Sequence, residues 1–125
     1  MEIYGDDYNT NDGTAIRDFI HVTDLIEAHL LLLKKMCLFN KSYILNCGYG
    51  KGYSVAEVIN SVKKLSNHDF KTTVSKRRDG DPEILVADNI KLKKELNWRP
   101  KYDDIDKIVK HSLEWEEISK KLNLK

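Results

Sequence analysis

Tyr43-Ile44-Leu45-Asn46-Cys47-Gly48-Tyr49-Gly50-Lys51-Gly52-Tyr53-Ser54-Val55 is the stretch on which the reading of the fold turns. Its first five residues are a short, mostly apolar run followed by turn formers, the pattern of a buried strand. Three glycines at alternate positions come next. Ser54 and Glu57 then stand three residues apart, with Val55, Val58, Ile59, Val62 and Leu65 keeping an amphipathic period. That is a capping box opening a helix. Strand, glycine turn and helix in this order predict a mixed α/β chain.

The same stretch invites a dinucleotide-binding reading, which its spacing does not support. The fingerprint needs its third glycine three residues after the second, and position 53 is tyrosine. No acidic residue ends a second strand at the required distance, because Asp69 precedes its strand. The glycines are therefore expected to make a tight turn that delivers the chain to a helix.

Toward the N-terminus, Glu2 to Tyr4 reads as a short strand stopped by Gly5-Asp6-Asp7. A turn cluster from Asn9 to Gly13 leads into an alternating segment. Ile16, Asp18 and Ile20 face one way there, and Arg17, Phe19 and His21 the other. Thr23 is the expected N-cap of a helix reaching about Met36, with Asp24 in its first turn. Leu25, Ile26, Leu30, Leu32, Leu33 and Met36 form a wide stripe and predict a deeply packed helix. Toward the C-terminus, Phe70 to Ser75 and Ile84 to Ala87 read as strands around a charged loop. Asp88 is the expected cap of a helix to Leu96. A last helix starts near Asp103 or Asp104 and frays into a basic tail. The sum is short strands with about four helices.

With 125 residues the chain fits one domain. Twenty-one basic against twenty acidic residues leave +1, too little for a global field that draws nucleic acid or a membrane. Cys37 and Cys47 make neither a disulfide framework nor a metal cluster, and both read as reduced core thiols. His21, His29, His68 and His111 lack metal-ligand spacing, and His21 reads as a structural hydrogen-bonding residue. The longest apolar run, Ala28 to Leu33, is interrupted by His29 and far below a membrane span, and the first ten residues are acidic and polar. A cytoplasmic location is the expectation.

Two features carry candidate chemistry. In Lys76-Arg77-Arg78-Asp79-Gly80-Asp81-Pro82, an arginine fork suits phosphate oxygens, and a carboxylate three residues later suits two vicinal ribose hydroxyls. A plain charged surface loop is the alternative. Arg17, set in an apolar strand, either meets an anion or forms an internal ion pair with Asp18, Asp24 or another acid.

Asp12-Gly13-Thr14-Ala15-Ile16-Arg17-Asp18-Phe19-Ile20-His21-Val22-Thr23-Asp24-Leu25 closely resembles a segment of the UDP-glucose 4-epimerases, nucleotide-sugar enzymes among the extended short-chain dehydrogenase/reductases. Tyr43 to Val55, Arg77-Arg78-x-Gly80-Asp81-Pro82, and Ala87-Asp88 through Leu96-Asn97-Trp98 resemble three further segments of that family, in the same order. The resemblance runs from Glu2 to about Trp115 and implies the C-terminal substrate-binding lobe, residues 1–125 forming a single UDP-sugar lobe. It implies that Arg17 and Arg78 grip the diphosphate of a UDP-sugar, UDP-glucose or UDP-galactose. It further implies that Asp81 binds the ribose, that the backbone of Glu2, Ile3 and Tyr4 meets the uracil, and that Val55 lines the pocket.

In that family a Rossmann domain binds NAD, and a Tyr-x-x-x-Lys pair oxidises the sugar. Here Tyr4, Tyr8, Tyr43, Tyr49, Tyr53 and Tyr102 are followed four residues on by Tyr8, Asp12, Cys47, Tyr53, Glu57 and Asp106. The resemblance therefore implies a chain with no NAD of its own and no catalysis in isolation, completed by a separate Rossmann chain where one exists. It also implies self-association through an uncovered apolar face. The alternative is a non-catalytic remnant or interaction module that binds UDP or UDP-sugar weakly or not at all.

Overall fold

The computed structural model describes residues 1–122, so the basic tail expected at the end lies outside the described residues. Five short strands and four helices follow the order β1 (Glu2–Tyr4), β2 (Ile16–Arg17), α1 (Val22–Phe39), β3 (Tyr53–Ser54), α2 (Val55–Ser66), β4 (Thr73–Ser75), β5 (Ile84–Leu85), α3 (Ile90–Leu96), α4 (Ile105–Lys121). The mixed α/β class read from the sequence stands.

The strands form two small sheets. In the first, β1 lies parallel to β4, with Tyr4 opposite Ser75. In the second, β2 is central, antiparallel to β3 and parallel to β5, with Arg17 opposite both Tyr53 and Leu85. These pairings hold both ends of the 76–83 loop. Its entry from β4 is fixed beside β1, and its exit into β5 is fixed beside β2.

Several expectations are corrected. Residues 43–47 are not a strand, because no backbone ladder joins them to another segment among the described residues. An apolar run without a partner strand stays merely extended. The cap of α1 is His21 rather than Thr23, since the His21 ring accepts from the Thr23 amide at 3.1 Å through Nδ1. The helix also outruns Met36 and stops at Asn40, which takes the left-handed conformation at φ 47°. Asn67 and Asn97 end α2 and α3 in the same way; asparagine is the residue besides glycine that visits this region readily. Asn89, not Asp88, precedes α3, although Asp88 still accepts from the Ile90 amide at 3.0 Å.

The largest correction concerns α1, which is not deeply packed. Asp24 and Ala28 are its buried residues, while Ile26, Leu30 and Leu33 are each more than half exposed. The helix is apolar on more sides than the neighbouring elements cover. Cys37 lies on the uncovered side and is exposed, contrary to a core thiol, whereas Cys47 is partly buried; both are free.

The core gathers Ala28 of α1, Tyr49 of the glycine turn, Leu92 and Leu96 of α3, and Trp98 just after it. The rings of Tyr49 and Trp98 stack at 6.3 Å. α2 opens with the expected capping box, Ser54 accepting from the Glu57 amide and Glu57 accepting from the Ser54 amide. It packs beside α4, and Asp106 of α4 accepts from Ser61 at 2.6 Å and from Lys64 at 2.7 Å.

Candidate functional site

β2 carries Arg17 at the middle of its sheet, and the 76–83 loop carries Arg78 and Asp81. Within that loop the Asp81 amide donates to the Arg78 carbonyl, and Gly80 between them has φ +75°. This is a turn whose third position needs the left-handed region, which glycine enters without a Cβ penalty. It leaves the Arg78 and Asp81 side chains beside each other. The Arg78 guanidinium donates to Asp81 Oδ2 at 2.8 Å, and Arg17 donates to Asp81 Oδ1. Two guanidinium groups from distant parts of the chain thus converge on one carboxylate. Of the internal ion pairs open to Arg17, those with Asp18 and Asp24 do not form, and the pair with another acid, Asp81, does.

A cavity of about 100 Å³ opens at this point. Arg17, Arg78 and Asp81 line it together with Glu2, Ile3 and Tyr4 of β1, Ala15 and Val55. All seven residues singled out by the resemblance surround a single cavity. The Arg78 guanidinium stands over the Tyr4 ring at 5.0 Å, and the Tyr4 hydroxyl donates to Glu2 at 3.0 Å. The hydrogen bond from Arg78, with that from Arg17, holds the Asp81 carboxyl below its ordinary value. The same contact raises Arg78.

In the glycine turn, the Tyr49 and Gly50 amides are already taken. Asp18 accepts from the Tyr49 and Gly50 amides, each at 3.0 Å, and from the Ala87 amide at 3.2 Å. A Cβ on Gly48 would stand 2.4 Å from the Asp18 carboxylate, so this glycine serves close approach to a side chain.

Two arrangements escaped the sequence. Asp18 figures there only as one of several candidate ion-pair partners of Arg17, whereas it pins the glycine turn, a role that only the tertiary contact reveals. His21 Nε2 and His111 Nδ1 lie 2.9 Å apart, with the Tyr102 ring stacked on His21 at 4.3 Å. Burial first, then His111, lowers the His21 pKa against the pull of Asp24, which favours the neutral ring that caps α1. Ninety residues separate these two histidines, so no local signal joins them. Among the described residues, no group of three or more His, Cys, Asp or Glu is placed to hold a metal, and no helix is long and apolar enough to cross a membrane.

The family model described as GDP-mannose 4,6 dehydratase matches residues 4–111. The chain belongs to that family. Within it, the chain is similar to the UDP-glucose 4-epimerase of Lacticaseibacillus casei, 44% identical over 117 residues, which are 94% of this chain and 35% of the relative. A crystal structure of UDP-glucose 4-epimerase superposes with TM-score 0.89 at 43% identity, over 94% of this chain and 36% of that one. Another family member, the UDP-glucose-4-epimerase of Stenotrophomonas maltophila with bound NAD and formylated UDP-arabinopyranose, gives TM-score 0.89 at 33% identity, over 97% and 36%. The chain spans about a third of the length of these family members and matches their C-terminal portion.

Proposed function

We propose that this chain is the UDP-sugar-holding portion of a UDP-glucose 4-epimerase, and that it does not catalyse epimerisation alone. The observation that carries the reading is the meeting of Arg17, Arg78 and Asp81 at one cavity walled by β1 and Val55. The two guanidinium groups grip the diphosphate. Asp81 takes the ribose hydroxyls, the backbone of Glu2 to Tyr4 meets the uracil, and Val55 forms a wall. Without ligand, the arginines and Asp81 satisfy one another. An entering diphosphate takes over the guanidinium groups and leaves the carboxylate free for the ribose, so one set of charge-assisted bonds is exchanged for another. The cavity, about 100 Å³, is smaller than the roughly 300 Å³ at the lower end for ligand sites, and this exchange also widens it.

Titration with UDP tests the assignment. Arg78→Ala is expected to weaken binding about 10–100-fold, the worth of hydrogen bonds between charged groups. The Arg78 side chain is 62% exposed, so the substitution leaves the core untouched. Unchanged affinity for UDP would remove the site.

Chemistry at the sugar calls for a hydride carrier and a base, which the reading assigns to a Rossmann portion supplied with this one or by a separate chain. The similarity to enzymes about three times longer supports that division. The uncovered stripe of α1, with Ile26, Leu30 and Leu33 exposed, supports a face that another body covers. For this chain by itself, light scattering should report a dimer or larger species; a monomer at high concentration contradicts that expectation.

A further inference from the structure

His21 and His111 meet in an arrangement whose hydrogen bonds leave room for only one proton between the rings. His21 is 7% exposed, and its Nε2 lies 2.9 Å from Nδ1 of His111 on α4. Its other nitrogen, Nδ1, accepts from the Thr23 amide in the first turn of α1 at 3.1 Å. An amide N–H only donates, so Nδ1 of His21 holds a lone pair. A neutral imidazole carries one N–H, which in His21 is then on Nε2 and points at His111. Nδ1 of His111 must in turn be bare to accept it. The partners thus assign a tautomer to His21 and an acceptor to His111.

A further proton cannot be added without breaking a bond. On His111 Nδ1 it meets the His21 N–H head-on. Moving the His21 proton to Nδ1 only carries the conflict to the Thr23 amide. Charging either ring therefore costs the cap of α1 or the link to α4.

Among the described residues, titratable groups face the His21 ring from each element packed on it. They are Asp24 of α1, Tyr49 of the glycine turn, Tyr102 ahead of α4 and His111 of α4. Burial first, and His111 second, hold the His21 pKa below its ordinary value against the pull of Asp24. The Tyr49 hydroxyl accepts from the His21 amide at 3.1 Å and spends its own proton on Asp24. The Tyr102 ring stacks on His21 at 4.3 Å.

We infer that His21 and His111 form a proton-operated latch between the N-terminus of α1 and α4, closed while both rings are neutral and opened by the first proton the pair takes up. α4 keeps its Asp106 bonds to Ser61 and Lys64 of α2, so opening parts α4 from α1 and leaves α2 and α4 together. Because the folded pKa of His21 is lowered, the latch stabilises above the unfolded value of about 6.5, and that stability is lost as pH falls through the folded one.

Ring-nitrogen NMR of the chain between about pH 8 and pH 5 reads the tautomer and charging of each histidine, and solvent exchange of the Thr23 amide reads the cap. At the alkaline end His21 should carry its proton on Nε2, and His111 should have a bare Nδ1. On acidification both rings should shift in one step below about pH 6.5, and protection of the Thr23 amide should drop about 5–20-fold, the worth of an N-cap. In His21→Asn, whose side-chain oxygen still caps Thr23 but does not titrate, that protection should hold constant and His111 should charge on its own. A proton on Nδ1 of His21 at the alkaline end, rings that charge independently in the parent, or Thr23 protection that survives the titration overturns the latch. A loss of protection that persists in His21→Asn overturns it as well, because the proton then acts elsewhere.

Discussion

Asp24→Ala is expected to destabilise the chain by about 3–5 kcal/mol, the cost of stranding several buried donors at once. The side chain is fully buried and joins three segments. It accepts from the Tyr49 hydroxyl at 2.6 Å, the Lys101 amide at 3.0 Å and the Tyr102 amide at 2.9 Å. Its loss leaves all three without an acceptor and separates α1 from the glycine turn and from the approach to α4. At this chain length the unfolding midpoint should fall by roughly 10–20 °C. Asp24→Asn should recover little, because its amide turns a donor toward groups that are already donors. Acid sensitivity should change as well. Burial raises the Asp24 pKa, but the hydrogen bonds from Tyr49, Lys101 and Tyr102 outweigh it and leave the group below its ordinary value. A lowered folded pKa stabilises above the unfolded value of about 4, and that stability is lost as pH falls through the folded one. The variant should lack this component. Denaturant unfolding of parent and variant across pH measures both effects, and a loss below about 1 kcal/mol contradicts the role given to Asp24.

Trp98→Ala should cost about 3–5 kcal/mol as well, by a different route. The indole is 2% exposed and belongs to the cluster of Ala28, Tyr49, Leu92 and Leu96. It stacks on Tyr49, and its N–H donates to the Asp24 carbonyl at 3.2 Å. Truncation opens a cavity among α1, α3 and the glycine turn, which the surrounding backbone can fill only in part. Trp98→Phe separates the contributions, since it keeps most of the packing and loses the indole hydrogen bond, for about 1–2 kcal/mol. Equal losses for the two variants would show that the hydrogen bond, and not the ring volume, carries the effect.

Local signals in the sequence were reliable where a few neighbouring residues settle the matter. The Ser54–Glu57 box caps α2 as its spacing predicts, and Asp104 caps α4 by accepting from the Lys107 amide. Arg17, Arg78 and Asp81 were legible as candidates because charge in an apolar strand, or beside a glycine turn, is conspicuous. Their convergence was not legible from spacing, since 64 residues separate Arg17 from Asp81. Where a local signal failed, a distant partner had decided. Residues 43–47 have the composition of a strand but lack a ladder partner. Thr23 has the composition of a cap, but the His21 ring takes that place with His111 behind it.

The four helices and their order, the helix start at Ser54 and the one near Asp103 or Asp104, and the mismatch of the glycine spacing with a dinucleotide fingerprint follow from sequence alone, since each depends on only a few neighbouring residues. Which residues share a site, which face of α1 stays uncovered and what the Asp18 carboxylate holds were decided only by tertiary structure. The physical reason is range: strand pairing of β4 with β1 and of β5 with β2 carries the Arg78–Asp81 turn to Arg17, and no sequence period records a meeting made by two sheets.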